Sequence, residues 1–159
     1  MGSPAFTLIH VIISIIGIVS GLIVVGGLLS ANRMPIFTAI FLVTTVLTSV
    51  TAFFFHDPHV TPGQIVGALS LVLLAIAVVA YYVFHLRGIW RLAYVGTAVA
   101  SLYLNCFVLV AQSFAKVPQF HAAAPTGTEP PFVITQVVVL LTFVVLGLLS
   151  LWRFQSADA

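Results

Sequence analysis

With 159 residues, 62% of them hydrophobic and 5% charged, and a mean hydropathy of +1.26, the chain lies far from a soluble domain, which is about 45–50% apolar and about 25% charged. That composition predicts an integral membrane protein of one domain, with no room for an appended soluble domain. Five basic and three acidic side chains are too few to follow a phosphate backbone, which excludes nucleic acid as a partner. The lone Cys106 excludes a disulfide framework, a CxxC pair and a thiolate metal cluster.

The first apolar run, about residues 7–30, is long enough at about 1.5 Å per residue to cross a hydrocarbon core of about 30 Å. No basic stretch precedes it and Arg33 follows it, so a retained helix is expected in place of a signal peptide. His10, Ser14, Gly17 and Gly21 recur at helical spacing on one face, and Gly17-Ile18-Val19-Ser20-Gly21 is a small-xxx-small pattern that lets another helix come close. Asn32 and Pro35 mark the start of a second helix, about residues 36–55. It carries Thr38, Thr44, Thr45, Thr48, Ser49 and Thr51. Such hydroxyls bond back to the i−4 carbonyl or across to a neighbour, which makes them expected interhelical glue or a polar lining that leads to His56.

The turn His56-Asp57-Pro58-His59 is followed by Thr61-Pro62-Gly63-Gln64, a capping box with proline at its first helical position. A third helix is expected over about residues 61–86, with Gly88 as its C-cap. Trp90 with Arg87 and Arg91 forms an interfacial anchor before the fourth helix, about residues 89–115, whose polar stripe is Tyr94, Thr97, Ser101, Asn105 and Gln112. Asn105 sits mid-segment, where an amide in hydrocarbon requires partners. An outer loop, about residues 116–131, carries the only lysine, Lys116, with His121 and Glu129. Thr128 reads as the cap of the fifth helix, about residues 132–152.

The expected architecture is therefore an all-α, polytopic membrane bundle of five transmembrane helices. Arg33, Arg87, Arg91 and Arg153 fall on one side and Lys116 alone on the other, so the positive-inside rule predicts an outside N-terminus and a cytoplasmic C-terminus. Four of the five histidines, His10, His56, His59 and His121, are then outside.

Four chemistries are open to that outer group. His56, Asp57 and His59, joined by His10 or His121, offer imidazole and carboxylate to a metal, although the spacing across a proline turn is not a helical pair. A b-type haem would take His10 and His56 as axial ligands. A quinone between helices would be met by His10, His56, Asn105, Gln112 and Gln136 against apolar walls. Ion transport finds no Asp, Glu, Lys or Arg well inside a span, and a retinal Schiff base finds its only lysine at the edge. For catalysis, Cys106 lies at mid-depth away from the histidines, and Glu129 with His121 and Thr126 reads as a packed loop.

The segments LYLNCFVLVAQSF, KVP, APTGTEPPF with Gln136 beyond, LTSVTAFFF and HLRGIWRLAYV resemble a group of small uncharacterised integral membrane proteins of proteobacteria, over nearly the whole chain. The resemblance implies a bacterial inner membrane and draws attention to Asn105, Gln112, Glu129 and Gln136. HDPH departs from the phenylalanine–proline run associated with that group, which sets His56 and His59 apart from it. The resemblance supplies neither a reaction nor a cofactor. The sequence alone therefore predicts a non-catalytic membrane component that self-associates or joins a larger assembly, with a quinone- or haem-binding redox module as the alternative.

Overall fold

A computed structural model describes residues 3–154, all-helical with no strand among them. The helices are α1 (Pro4–Leu29), α2 (Pro35–Thr51) prolonged by a 3-10 turn at Ala52–Phe54, and α3 (Pro62–Val78) prolonged by a π turn at Val79–Val83. They are followed by α4 (Ile89–Lys116), the short α5 (Pro118–Ala123) and α6 (Pro130–Arg153). Five of these, with their prolongations, are long and apolar enough to cross a membrane. Every helix except α4 has proline in its first turn, where the missing N–H leaves no hydrogen bond unmade.

The expected capping box of α3 is present in both halves: Gln64 N–H donates to Thr61 Oγ1 at 3.2 Å and Thr61 N–H to Gln64 Oε1 at 3.0 Å. Other boundaries differ from the sequence expectation. Asn32 does not cap α2; its Oδ1 accepts from the N–H of Met34, which takes the N-cap position in a left-handed conformation (φ 46°). The third helix does not run on to a glycine C-cap. Its last turn widens, Phe84 N–H reaching back to Val79 O, and His85 and Leu86 then reverse the chain at positive φ. Phe84 stacks on Trp90 at a centroid distance of 4.0 Å, so an aromatic contact holds this turn, and Gly88 (φ 54°) is the N-cap of α4. The link between α4 and α6 contains α5 where a plain loop was expected.

α1, α2, α3 and α4 form a ring in which each packs on the next and α4 returns to α1, while α6 lies outside against α4 and α1. The end of the ring near Arg33 and Arg91 is solid, filled by the fully buried Phe41, Leu74, Tyr94 and Leu102. Gly21 makes this possible: a Cβ there would lie 2.6 Å from Leu102 Cδ1 and 2.9 Å from Phe41 Cδ2. Side chains such as Leu8, Ile12, Val72, Leu141 and Leu148 point outward and stay exposed, an apolar outer surface that suits hydrocarbon and not water.

Most hydroxyls are satisfied within their own helix. Ser14, Ser20, Thr44, Thr51, Thr97 and Ser101 each donate to the carbonyl four residues before, at 2.6–2.8 Å. The expected glue between helices is correspondingly thin. Between helices the side chains supply His10 to Thr51 at 2.7 Å, Thr38 to Tyr94 at 3.5 Å, Gln136 to the Phe107 carbonyl at 3.1 Å, and Arg91 Nη1 to the carbonyl of Phe154, the C-cap of α6, at 2.7 Å.

A candidate ligand cavity in the four-helix ring

The other end of the ring, near Lys116, is hollow. A cavity of about 620 Å³ opens among α1, α2, α3 and α4, within the range of about 300–1,000 Å³ usual for small-molecule sites. Its walls are mainly aliphatic, from Val11, Ile15, Ile18, Val66, Leu104 and Val108. The polar residues along it include His10, Ser14, Thr45, Thr48, Asn105 and Gln112, with Lys116 at the rim.

The first part of the face of α1 predicted from spacing, His10 to Gly17, lines or floors this space. His10, half-buried, bonds through Nδ1 to Thr51 Oγ1 and meets Phe55 edge-on at a centroid distance of 5.1 Å. Gly17 sets the floor, since a Cβ there would lie 3.2 Å from Thr44 Oγ1, 3.2 Å from Thr45 Oγ1 and 3.3 Å from Asn105 Nδ2. Its missing side chain is what lets polar atoms of α2 and α4 approach α1.

Three of those polar groups are unmet. Thr45 Oγ1, Thr48 Oγ1 and Asn105 Nδ2 are buried with no hydrogen-bond partner, and Thr45 is only 1% exposed. A buried donor or acceptor left without a partner costs about 1–3 kcal/mol, and all three of these groups belong to residues that line the one cavity. Asn105, predicted to need partners across the bundle, has none for its Nδ2 atom.

The remaining predicted residues are dispersed. Gln112 is exposed at the mouth. Gln136 lies on the other side of α4, donating from Nε2 to the Phe107 carbonyl, with its own Oε1 unmet. His56 is exposed in the turn after α2, its Nδ1 at 3.1 Å from Phe54 O, and His59 and His121 are exposed as well. Of the five histidines only His10 lines the cavity, so the side chains there do not fit a bis-histidine haem. Among the described residues no three His, Cys, Asp or Glu side chains are grouped to hold a metal ion. Thr45 and Thr48 have the reverse history. They are two of the six hydroxyl residues that the sequence strings along the second helix, and nothing in its spacing separates them from Thr44 and Thr51, whose hydroxyls bond back to the backbone.

Beyond the rim, the link to α6 is tied by Glu129, the N-cap residue of that helix. Thr128 does not cap α6, and the Glu129 carboxylate turns back into the loop. It accepts from Thr126 Oγ1 at 2.8 Å and from the N–H groups of Thr126 and Thr128 at 3.1 Å. The Thr126 hydroxyl bond, above all, holds this carboxyl below its ordinary range.

The fold and the site together define an all-helical chain with five helices able to cross a membrane and a largely apolar cavity at one end. Comparison with protein-family models, with curated proteins and with solved structures finds no match.

Proposed function

We propose that the protein is a multi-pass component of a bacterial cytoplasmic membrane that binds a lipid-soluble small molecule between α1, α2, α3 and α4. The observation that carries this is a largely aliphatic cavity whose few polar lining residues include three, Thr45, Thr48 and Asn105, with a buried polar atom that has no partner. Apolar walls with a few convergent polar groups are what orient a small ligand. The four arginines on one side favour an outside N-terminus and a cytoplasmic C-terminus, which puts the cavity in the outer half of the membrane. The resemblance to small proteobacterial membrane proteins supports the choice of membrane. The chain has no part in catalysis in this reading, and it binds either for storage or for presentation to a partner.

Native mass spectrometry of protein purified in mild detergent, followed by solvent extraction, tests the proposal. A bound species should accompany the wild type and be lost when the cavity is filled by Val66→Trp or Ser14→Phe with helicity retained. Wild type free of any small molecule, and unable to take one up from added membrane extract, would refute it. Membership of a larger assembly is favoured by α6, of whose residues only Gln136, Phe143 and Ser150 are buried, and by a groove of about 340 Å³ between α4 and α6 at Gly96, Tyr103, Phe143 and Gly147. The oligomeric state in the same spectra decides that point.

A further inference from the structure

The cavity is open along one side. Val11 and Ile15 of α1 and Leu109 and Gln112 of α4 line it and are exposed as well, so they stand at an opening. The lining residues of α2 are all buried or half-buried, and so are those of α3 apart from Pro62 at its tip. α1 and α4 are neighbours in the ring and meet deeper down, where a Cβ on Gly17 would lie 3.3 Å from Asn105 Nδ2 and one on Gly21 2.6 Å from Leu102 Cδ1. The two helices therefore part towards the Lys116 end, and α6, which meets α4 at Tyr103 and Phe107, leaves Leu109 uncovered. Leu109 is seven residues from the end of α4 and Ile15 eleven from the start of α1. At about 1.5 Å of rise per residue the opening reaches about 10–16 Å inside the helix ends, a depth that a bilayer fills with hydrocarbon.

The mouth of this opening carries donors and no acid. No Asp or Glu lines the cavity, and Lys116 is its one formal charge. The Lys116 ammonium has neither an ion pair nor a hydrogen bond among the described residues, and the Glu129 carboxylate beyond the rim is engaged by Thr126 and Thr128. The Gln112 amide and the N–H of Gly63, in the first turn of α3, also line the cavity without an acceptor among the described residues. Further in lie Ser49 and Ser70, 5% and 4% exposed. A serine in an apolar helix ordinarily donates to the preceding turn, as Ser14 does, but neither of these hydroxyls has a partner among the described residues. Unlike Thr45 Oγ1 and Asn105 Nδ2, they are not fully enclosed.

Resting on the ligand-binding role proposed above, we infer that the ligand is an acidic acyl lipid of the bilayer that enters sideways between α1 and α4, its anionic head at Lys116 and its ester and chain in the cavity. An unpaired cation at the rim of an apolar cavity is matched by an anionic oxygen, which makes a stronger hydrogen bond than a neutral one. The flexible stem of Lys116 lets the ammonium follow the head along the rim. Ester oxygens below the head are acceptors for Ser49 and Ser70, which a bare alkyl chain would leave unpaired. The chain lies against Val11, Ile15 and Val108 and can leave through the gap, so the cavity does not limit its length. A neutral lipid forgoes the bond to Lys116, and a soluble anion forgoes the apolar walls.

The test is displacement of a fluorescent apolar probe, 1-aminoanthracene, from the full chain in a non-ionic detergent. Lauroylglycerol phosphate should displace it at about tenfold lower concentration than monolauroylglycerol, its neutral counterpart, since one charge-assisted hydrogen bond separates them. Lys116→Gln should bring the two together, and Lys116→Arg should restore the difference. Dodecyl phosphate, which has the head but no ester, should fall between them, and joint Ser49→Ala and Ser70→Ala substitution should bring the ester lipid down to it. A light-activated diazirine in the chain of the acidic lipid should mark Val11, Ile15 or Leu109 in mass spectra, and marking confined to the outer face of α6 would overturn the route. Displacement by inorganic phosphate alone would assign the mouth to a soluble anion and overturn the lipid. Equal displacement by the acidic lipid and monolauroylglycerol would overturn the acidic head while leaving a binding cavity in place. A wild-type protein that binds no probe at all would overturn the binding role itself, and the ligand class with it.

Discussion

Thr45→Val separates a ligand wall from interhelical glue by the sign of its effect. The substitution keeps the β-branched shape and helix preference and replaces only the hydroxyl by a methyl. In the ligand-free protein that hydroxyl is buried, 1% of the residue being exposed, and it bonds neither to the preceding turn nor to another helix. An unmet buried polar group costs about 1–3 kcal/mol, so removing it should raise the stability of the empty protein by about 1 kcal/mol. A hydroxyl acting as glue in a membrane would do the reverse, its loss destabilising by about 0.6 kcal/mol. The control is Thr44→Val, about a quarter of a turn away on the same helix, whose hydroxyl is satisfied by the Ile40 carbonyl at 2.7 Å and whose change should be near zero or slightly unfavourable. The assay is equilibrium unfolding of delipidated protein by titration with sodium dodecyl sulfate, followed by circular dichroism. Once ligand is added the order should invert, wild type gaining more than the variant. A Thr45→Val protein less stable than wild type in the empty state would refute the assignment of Thr45 to a ligand.

Gly21→Ala should destabilise by about 1–3 kcal/mol, because its Cβ would enter the space of Leu102 and Phe41, both fully buried and unable to yield; Gly26→Ala, with nothing within 4 Å, should be neutral or stabilise by about 0.4–1 kcal/mol. Thermal unfolding in one detergent compares them, and equal midpoints would contradict the close approach of α1 to α2 and α4. For Glu129 the folded carboxyl titrates below its ordinary value of 4.5, so its contribution is present above pH 4.5 and lost as pH falls through the folded value. Amide exchange at Thr126 and Thr128 should therefore quicken below pH 4.5 relative to neighbouring loop amides, and Glu129→Gln should abolish that acid step. Gln136→Leu removes the bond to the Phe107 carbonyl together with an unmet Oε1, so its two effects oppose and unfolding should shift by less than about 1 kcal/mol, with ligand binding unchanged.

What the sequence made legible was what periodicity and proline carry. Five apolar runs, the prolines that open four of them and the Thr61–Gln64 box place the helices closely, because each is a local property of a few neighbouring residues. The face of His10, Ser14, Gly17 and Gly21 was equally visible, yet its two glycines do opposite things: Gly21 admits hydrocarbon and closes the ring, whereas Gly17 admits Thr45 and Asn105 and leaves it open. No spacing rule distinguishes them, since the difference lies in what α2 and α4 present at each level. The π turn at Val79–Val83 carries no glycine or proline to announce it, and the partner of Gln136 is a backbone carbonyl that has no sequence signature. Thr44 and Thr45 show the limit most sharply. They are adjacent, identical and both 3.2 Å from where a Gly17 Cβ would stand, but Thr44 turns its hydroxyl to Ile40 and Thr45 keeps its own unpaired. A hollow between helices is a property of all its walls at once, and the unmet atom on a wall, not the residue type, is what marks a place for a ligand.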